Sequence, residues 1–191
     1  NIPVLYLVIP CYNEEAVLPE TTKRLTEKMH TMIRAEQVDP ESRILYVDDG
    51  SKDKTWAIIS EYAEAIPYVD GVKLAHNRGH QNALLAGLMT AMPLCDCAIS
   101  MDADLQDPPE LLPEMFSVLH NGEGNECVAT RRSSRKGEPP LRSLFANLFY
   151  WLINLISDVK IVSGARDFRL MTRRMVDSIL SLHEKSRFSK G

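Results

Sequence analysis

Two carboxylates one residue apart, Asp102 and Asp104, follow an apolar, strand-like segment that ends at Met101. Alternate residues of an extended backbone point to the same side, so both carboxylates can face one hard cation at the carboxyl end of a strand. Such a cation takes oxygen ligands and keeps positions for phosphate and water, which predicts a Mg2+ or Mn2+ site that handles a diphosphate. The alternative is a solvated acidic turn in which Asp107, before Pro108, caps the next helix.

The elements that must position these carboxylates alternate between short apolar runs and amphipathic segments. The runs predict buried strands at residues 4–9, 43–47, 69–75, 97–101 and 126–130, and the apolar spacing predicts helices at 14–35, 53–65, 79–92 and 108–120. This order predicts an α/β fold with a mainly parallel central sheet flanked by helices. Ligands of such sheets bind at the carboxyl ends of the strands.

Composition limits the function classes. A chain of 191 residues, 45% of them hydrophobic, can bury one core, so we expect one domain over residues 1–191. The formal net charge of −4 gives no basic surface for nucleic acid. The four cysteines form no Cys-x-x-Cys pair and are expected to be reduced thiols. His76 and His80 are interrupted by Asn77 and Gly79, so they do not predict a zinc site.

Polar clusters follow the first four predicted strands, at residues 10–14, 48–51, 76–79 and 102–104. These clusters, with the segment 163–170, resemble the ordered motifs of family 2 glycosyltransferases. The similarity is greatest to the polyprenyl-phosphate hexosyltransferases, of the dolichyl-phosphate mannose synthase and bactoprenol glucosyltransferase kind. The resemblance implies a GT-A nucleotide-sugar-binding domain and an inverting transfer of glucose or mannose from a UDP-sugar or GDP-sugar to a polyprenyl phosphate.

The resemblance also implies roles for the first two clusters. Pro10, Tyr12 and Glu14 would contact the nucleoside, and Asp49 would read the base. Alternatively, Tyr12 and Glu14 form a hydrophobic staple and cap for the first helix. Asp48 is expected to hold the turn that follows it.

Other residues would bind the donor diphosphate. Asp102, Ala103 and Asp104 would contact the donor, and the metal would be held by Asp102, Asp104 and Gln106. Arg131 would add a phosphate contact through its planar guanidinium. Further acceptor or phosphate contacts are assigned to Arg142, Arg166, Arg169, Asn77 and Gly79; for the last two, free backbone N–H groups at a helix start would cradle phosphate.

Asp167 is, with Asp104, the candidate catalytic residue. In family 2 enzymes that glycosylate a hydroxyl, a carboxylate removes the acceptor proton. A lipid phosphate has its second ionisation near pH 6 and arrives mostly deprotonated, so Asp167 would then orient the sugar or acceptor instead. A buried pair of Asp167 with Arg169 is the structural alternative.

The last third of the chain contains the segment that bears on membrane association. Residues 141–157 are aromatic-rich but too short and interrupted to span a bilayer; they predict either a membrane-interface helix or a core helix. The basic stretch 131–140 is a candidate lid. The resemblance places the protein at the cytoplasmic face of a membrane, anchored by transmembrane helices expected beyond residue 191, and is compatible with a homo-oligomer. The chain starts at Asn1 without a methionine, and we expect it to be a piece of a longer protein.

Three other functions are considered. A transferase with a soluble glycan acceptor would keep the donor site and ignore lipid phosphate. A non-catalytic nucleotide-sugar-binding module would not need Asp102, Asp104 and Asp167. A sugar-nucleotide-forming nucleotidyltransferase would need a glycine-rich, basic loop after the first strand, and residues 10–14 are neither.

Overall fold

The secondary structure follows the predicted alternation. The computed structural model describes residues 2–122, 124–131 and 165–181. The strands are Leu5–Cys11 (β1), Arg43–Asp48 (β2), Val69–Lys73 (β3), Cys97–Ser100 (β4), Cys127–Arg131 (β5) and Ala165–Thr172 (β6). The helices are Leu18–Arg34 (α1), Thr55–Ala65 (α2), His80–Ala91 (α3), Leu112–Asn121 (α4) and Arg173–Ser181 (α5), and a 3-10 turn at Pro109–Leu111 precedes α4.

All six strands of the described residues join one sheet in the order β3-β2-β1-β4-β6-β5. The pairs β1–β2, β2–β3 and β1–β4 are parallel, whereas β6 runs antiparallel to both β4 and β5. The prediction of an α/β fold with a mainly parallel sheet is therefore confirmed. The order reverses at β1, where β2 lies on one side and β4 on the other, and this is the position where such sheets bind ligands.

Apolar side chains on alternate strand positions build a core on each face of the sheet. Leu7, Ile9 and Ile99 pack with α1, α2 and α4, and Val8 and Val47 pack with α3 on the other face. A fully buried side chain of this size contributes about 1.5–3 kcal/mol relative to an exposed one.

Helix α3 can approach the sheet closely because Gly87 has no side chain. A Cβ atom there would lie 2.4 Å from Cγ1 of Val8 and 2.7 Å from Cγ2 of Val47. The contact brings the start of α3 over the carboxyl ends of β1 and β2.

Two predicted helix starts are wrong. Helix α1 begins at Leu18 rather than residue 14, with no side-chain cap, so Glu14 does not act as the cap of that helix. The fourth predicted helix, expected from residue 108, begins as the 3-10 turn at Pro109–Leu111 and becomes α-helical only at Leu112. Asp107, which precedes it, is buried at 3% exposure. The four cysteines are free, as expected.

Several predictions lie outside the described residues. They are the helix at 141–157, Arg142, most of the candidate lid at 131–140 and the spans expected beyond residue 191. Within the described part of the chain, no helix is both long and apolar enough to cross a bilayer.

Candidate active site

The four predicted polar clusters meet at the carboxyl ends of β1, β2, β3 and β4, where a cavity of about 260 Å³ opens. Most of the predicted site residues line it: Pro10, Tyr12, Glu14, Asp49, Asn77, Gly79, Asp102, Ala103 and Asp104. Cys11, His80 and Ala83 complete the lining. Segments far apart in sequence therefore form one cleft with both polar and apolar walls.

The loop after β1 is interlocked with the loop after β2. The backbone N–H of Asn13 donates to Oγ of Ser51 at 2.9 Å, and that of Glu14 donates to Oγ1 of Thr55 at 2.8 Å. In return, Oδ1 of Asn13 accepts from the N–H of Lys52 at 2.8 Å. Asn13 has φ 57°, a left-handed conformation that asparagine tolerates better than most residues. The interlock holds the wall of the cavity that carries Tyr12.

Glu14 lines the same cavity as the acidic turn after β4, residues 102–104. Burial raises the pKa of Glu14, and the charges of Asp104 and Asp102 raise it further. A carboxyl group in this position adds negative charge to the cavity.

Asp49 connects the loop after β2 to the start of α3. Its carboxylate accepts from the backbone N–H of Arg78 at 2.7 Å and of Gly79 at 2.8 Å, and Asp49 is only 2% exposed. Gly79 has φ 88°, a backbone conformation that glycine adopts more readily than other residues do. The N–H of Gly79 is therefore not free as expected for phosphate binding, whereas a phosphate contact by Asn77 stays a prediction. Asp48 accepts from the N–H of Ser51 at 3.2 Å, which confirms its expected role in the turn.

We expect Asp49→Asn to lower the free energy of unfolding by about 1–3 kcal/mol, because the buried amide could offer only one acceptor oxygen to the N–H groups of Arg78 and Gly79. Urea denaturation without ligands measures this. Asp39→Asn is the matched control, since Asp39 accepts an exposed N–H from Glu41 at 2.9 Å, and a change within about 0.5 kcal/mol is expected there. Equal losses in both variants would contradict the structural role of Asp49.

The Asp102 carboxylate lies half-buried just beyond β4. Burial raises its pKa most, and the charges of Asp107, Asp167 and Asp104 raise it further, whereas His80 lowers it. Nε2 of His80 lies 3.6 Å from Oδ1 of Asp102. The site therefore gathers carboxylates whose mutual repulsion a cation would relieve.

Asp104 is exposed at the mouth of the cavity. Its Oδ1 accepts from the N–H of Gln106 at 3.0 Å, and Gln106 itself is exposed and does not line the cavity. No three His, Cys, Asp or Glu side chains among the described residues are grouped to hold a metal. Asp102 and Asp104 fit a Mg2+ or Mn2+ ion whose other ligands come from phosphate and water, the usual arrangement for Mg2+.

His80 is the lining residue that sequence reasoning missed. Its spacing from His76 bears only on a zinc site, whereas its partner in the fold is the carboxylate of Asp102, which follows β4. Its position directly after Gly79, at the first residue of α3, is the signal that could have placed it in the cleft.

Asp167 and Arg169 lie on β6, beside the acidic turn. The Ser100 hydroxyl donates to the main-chain oxygen of Asp167, and both Asp167 and Arg169 are half-buried rather than enclosed. Arg131 ends β5 and Arg166 lies in β6, but the described side chains do not include theirs.

Known proteins are similar to this chain in sequence. The family model for glycosyl transferase family 2 matches residues 6–180. An uncharacterized glycosyltransferase, YkoT, of Bacillus subtilis (strain 168) is 42% identical over 99% of this chain and 55% of its own length. The bactoprenol glucosyl transferase of Shigella phage SfV is 37% identical over 97% of this chain and 57% of its own length. The chain thus spans about half the length of the curated relatives it matches.

Solved structures share the fold at low sequence identity. Glucosyl-3-phosphoglycerate synthase from Mycobacterium tuberculosis, in complex with Mn2+, UDP and glucosyl-3-phosphoglycerate, matches 90% of this chain and 57% of that chain with a TM-score of 0.57 and 23% identity. The mannosyltransferase PcManGT from Pyrobaculum calidifontis, in complex with GDP-Man and Mn2+, matches 94% of this chain and 47% of that chain with a TM-score of 0.60 and 19% identity. The architecture is the GT-A fold of these glycosyltransferases, and with the family match over residues 6–180 the chain belongs to glycosyl transferase family 2.

Proposed function

We propose that this glycosyltransferase moves a hexose, glucose or mannose, from a UDP-sugar or GDP-sugar to a polyprenyl phosphate with inversion at the anomeric carbon. The observation that carries the proposal is the cleft at the sheet switch point, where Asp102 and Asp104 line the same cavity as Pro10, Tyr12, Glu14 and Asp49. The lipid acceptor is supported by the 37% identity to proteins named bactoprenol glucosyl transferase over 97% of this chain.

The donor would lie along the cleft. Pro10, Tyr12 and Glu14 would contact the nucleoside beside Asp49, whose carboxylate also holds the start of α3. At the diphosphate end, Asp102, Ala103 and Asp104 would contact the donor.

The cation would be held by Asp102 and Asp104, with Gln106 adding an oxygen. When bound, a divalent ion neutralises the charge that builds on the leaving nucleoside diphosphate, a contribution of several kcal/mol. The carboxylates that raise the pKa of Asp102 are the electrostatic support for this role, since their repulsion favours a cation. Arg131 would contribute a further phosphate contact.

The acceptor would approach from the β6 side. One of its phosphate oxygens attacks the anomeric carbon as the bond from that carbon to the donor diphosphate breaks, and this single displacement inverts the configuration. The products are a hexosyl phosphodiester of the polyprenol and a nucleoside diphosphate. Arg166, Arg169 and Arg142 are the candidates for holding the acceptor phosphate, and the reaction would take place at the cytoplasmic face of a membrane.

Labelled transfer tests this function directly. The natural full-length protein is incubated with a panel of UDP- and GDP-sugars and short polyprenyl phosphates, with and without chelator. We expect one donor to label a lipid phosphate and chelator to stop the reaction. Transfer to soluble glycans but to no lipid phosphate would overturn the acceptor assignment, and transfer that persists in chelator would overturn the metal role.

Asp167→Asn is expected to keep the transfer rate within about fivefold of wild type, because the acceptor phosphate is already ionised and needs no general base. Loss of general-base catalysis would instead cost about a hundredfold to ten-thousandfold. The pH–rate profile with polyprenyl phosphate provides the measurement, and Asp177→Asn, at an exposed position of α5, is the control. A loss of a hundredfold or more would favour a hydroxyl acceptor.

A further inference from the structure

Helix α1 contacts the centre of the acidic turn through one buried hydroxyl. Oγ1 of Thr21 donates to the main-chain oxygen of Ala103, between the two carboxylates, at 2.6 Å. Thr21 is 0% exposed and Ala103 is 3% exposed, so water does not compete for this hydrogen bond.

The contact differs from the usual behaviour of a helical threonine. Thr31, nearly three turns further along α1, donates to the main-chain oxygen of Glu27, four residues back, which is the common local alternative. Thr21 instead reaches a residue 82 positions away. Its hydroxyl therefore joins α1 to the turn and does not serve the helix.

The geometry of the turn shows what this contact controls. The Ala103 side chain belongs to the core cluster that also contains α1 residues, whereas Asp102 faces His80 of α3. The central residue is thus anchored towards one face of the sheet while its neighbour points into the cleft. Holding the Ala103 carbonyl fixes the plane of the peptide that connects it to Asp104.

A second contact ties the 3-10 turn at Pro109–Leu111, which follows the acidic turn, to α1. Nη2 of Arg24, three residues after Thr21 and on the same helix face, lies 2.7 Å from Oε1 of Glu110. Between the two contacts, Leu105 has φ 57°, a left-handed conformation that the surrounding structure must support. Helix α1 therefore contacts the chain on both sides of this residue, through the buried Thr21 hydroxyl before it and the partly exposed Arg24–Glu110 ion pair after it.

We propose that Thr21 is a positioning residue for the diphosphate–metal site: its hydroxyl holds the Ala103 peptide so that Asp102 and Asp104 present their carboxylates to one cation. The inference rests on the proposed metal-dependent donor binding. Removing a group that orients metal ligands typically weakens metal affinity about tenfold to a hundredfold.

The test compares two neighbouring buried threonines of α1. Thr21→Val and Thr22→Val remove one hydroxyl each, but Oγ1 of Thr22 lies 2.8 Å from the Tyr46 hydroxyl, within the core. In the natural full-length protein, calorimetry measures Mn2+-dependent UDP binding, and thermal unfolding measures stability. We expect the dissociation constant to rise about tenfold or more in Thr21→Val and to stay within about twofold of wild type in Thr22→Val.

Two further measurements separate positioning from general destabilisation. Thr21→Ser retains the hydroxyl and is expected to restore affinity to within about threefold of wild type, and it also serves if Thr21→Val does not fold. In the metal-free protein, backbone amide exchange at residues 104–106 should be faster in Thr21→Val than in Thr22→Val.

Each outcome bears on the inference. Equal dissociation constants for the two valine variants, or a Thr21→Ser variant that binds as weakly as Thr21→Val, would overturn it while leaving the proposed function intact. A wild-type protein that binds UDP equally well with and without Mn2+ would overturn the metal role in the proposed function, and this inference with it.

Discussion

The Asp104→Asn variant is expected to transfer sugar about a hundredfold to a thousandfold more slowly than wild type. Cation stabilisation of a leaving diphosphate contributes several kcal/mol, and each 1.36 kcal/mol corresponds to about tenfold in rate. The asparagine oxygen can still accept from the N–H of Gln106, as Oδ1 of Asp104 does at 3.0 Å. The substitution therefore removes the charge while keeping the fold of the turn.

A carboxylate at the opposite end of the same strand provides the control for Asp104→Asn. Asp96 precedes β4 and its Oδ2 accepts from the N–H of Val4 at 2.9 Å, far from the cleft. Initial rates of both variants are measured over a Mn2+ titration in the full-length protein. Asp96→Asn should retain nearly the wild-type rate, and high Mn2+ should partly restore Asp104→Asn. A rate above one tenth of wild type for Asp104→Asn at low Mn2+ would contradict its role.

The cleft could be predicted because it follows from strand direction. Once the apolar runs are identified as parallel strands, their carboxyl ends share one edge, and the polar residues after them must meet. The motif order added the family, which the match over residues 6–180 confirms. Local patterns were sufficient for both conclusions.

Contacts between distant segments could not be predicted in this way. Asp49 was assigned to the base, but its two hydrogen bonds to the start of α3 depend on the left-handed backbone of Gly79. His80 was missed for the same reason, since its contact with Asp102 depends on how α3 packs over the sheet.

Strand β6 was not predicted as a strand. Its sequence places Asp167 and Arg169 on one face and the buried Phe168 and Leu170 on the other. The alternation of charged and apolar residues in this segment has the period of two that marks a half-buried strand, but the same residues also resemble a family motif, which by itself predicts no secondary structure. The antiparallel pairing of β6 with β4 brings Asp167 beside the acidic turn.

Asp102→Asn is expected to raise the melting temperature of the metal-free protein near neutral pH. Burial and the charges of Asp107, Asp167 and Asp104 raise the pKa of Asp102, and His80 offsets this only in part. At pH values between the pKa of Asp102 in the unfolded protein and its raised pKa in the folded protein, the folded protein binds more protons than the unfolded one. The free energy of unfolding therefore falls as pH rises through that window and stays lowered above it. The uncharged amide of Asp102→Asn removes this loss of free energy of unfolding. Its gain in melting temperature should therefore disappear as pH falls below the pKa of Asp102 in the unfolded protein.

The same Asp102→Asn variant should lose its response to ligands. A donor product such as UDP with Mn2+, present at about 100 times its dissociation constant, stabilises a folded protein by about 2.7 kcal/mol. For a chain of this size that corresponds to roughly 5–10 °C in melting temperature. Thermal unfolding of wild type, Asp102→Asn and Asp96→Asn, each with and without Mn2+ and UDP, measures both effects. Only Asp102→Asn should be more stable without ligands and unresponsive to them, because its carboxylate destabilises the fold until a cation binds. A variant less stable than wild type that still responds fully would contradict both the electrostatic cost of Asp102 and its part in the metal site.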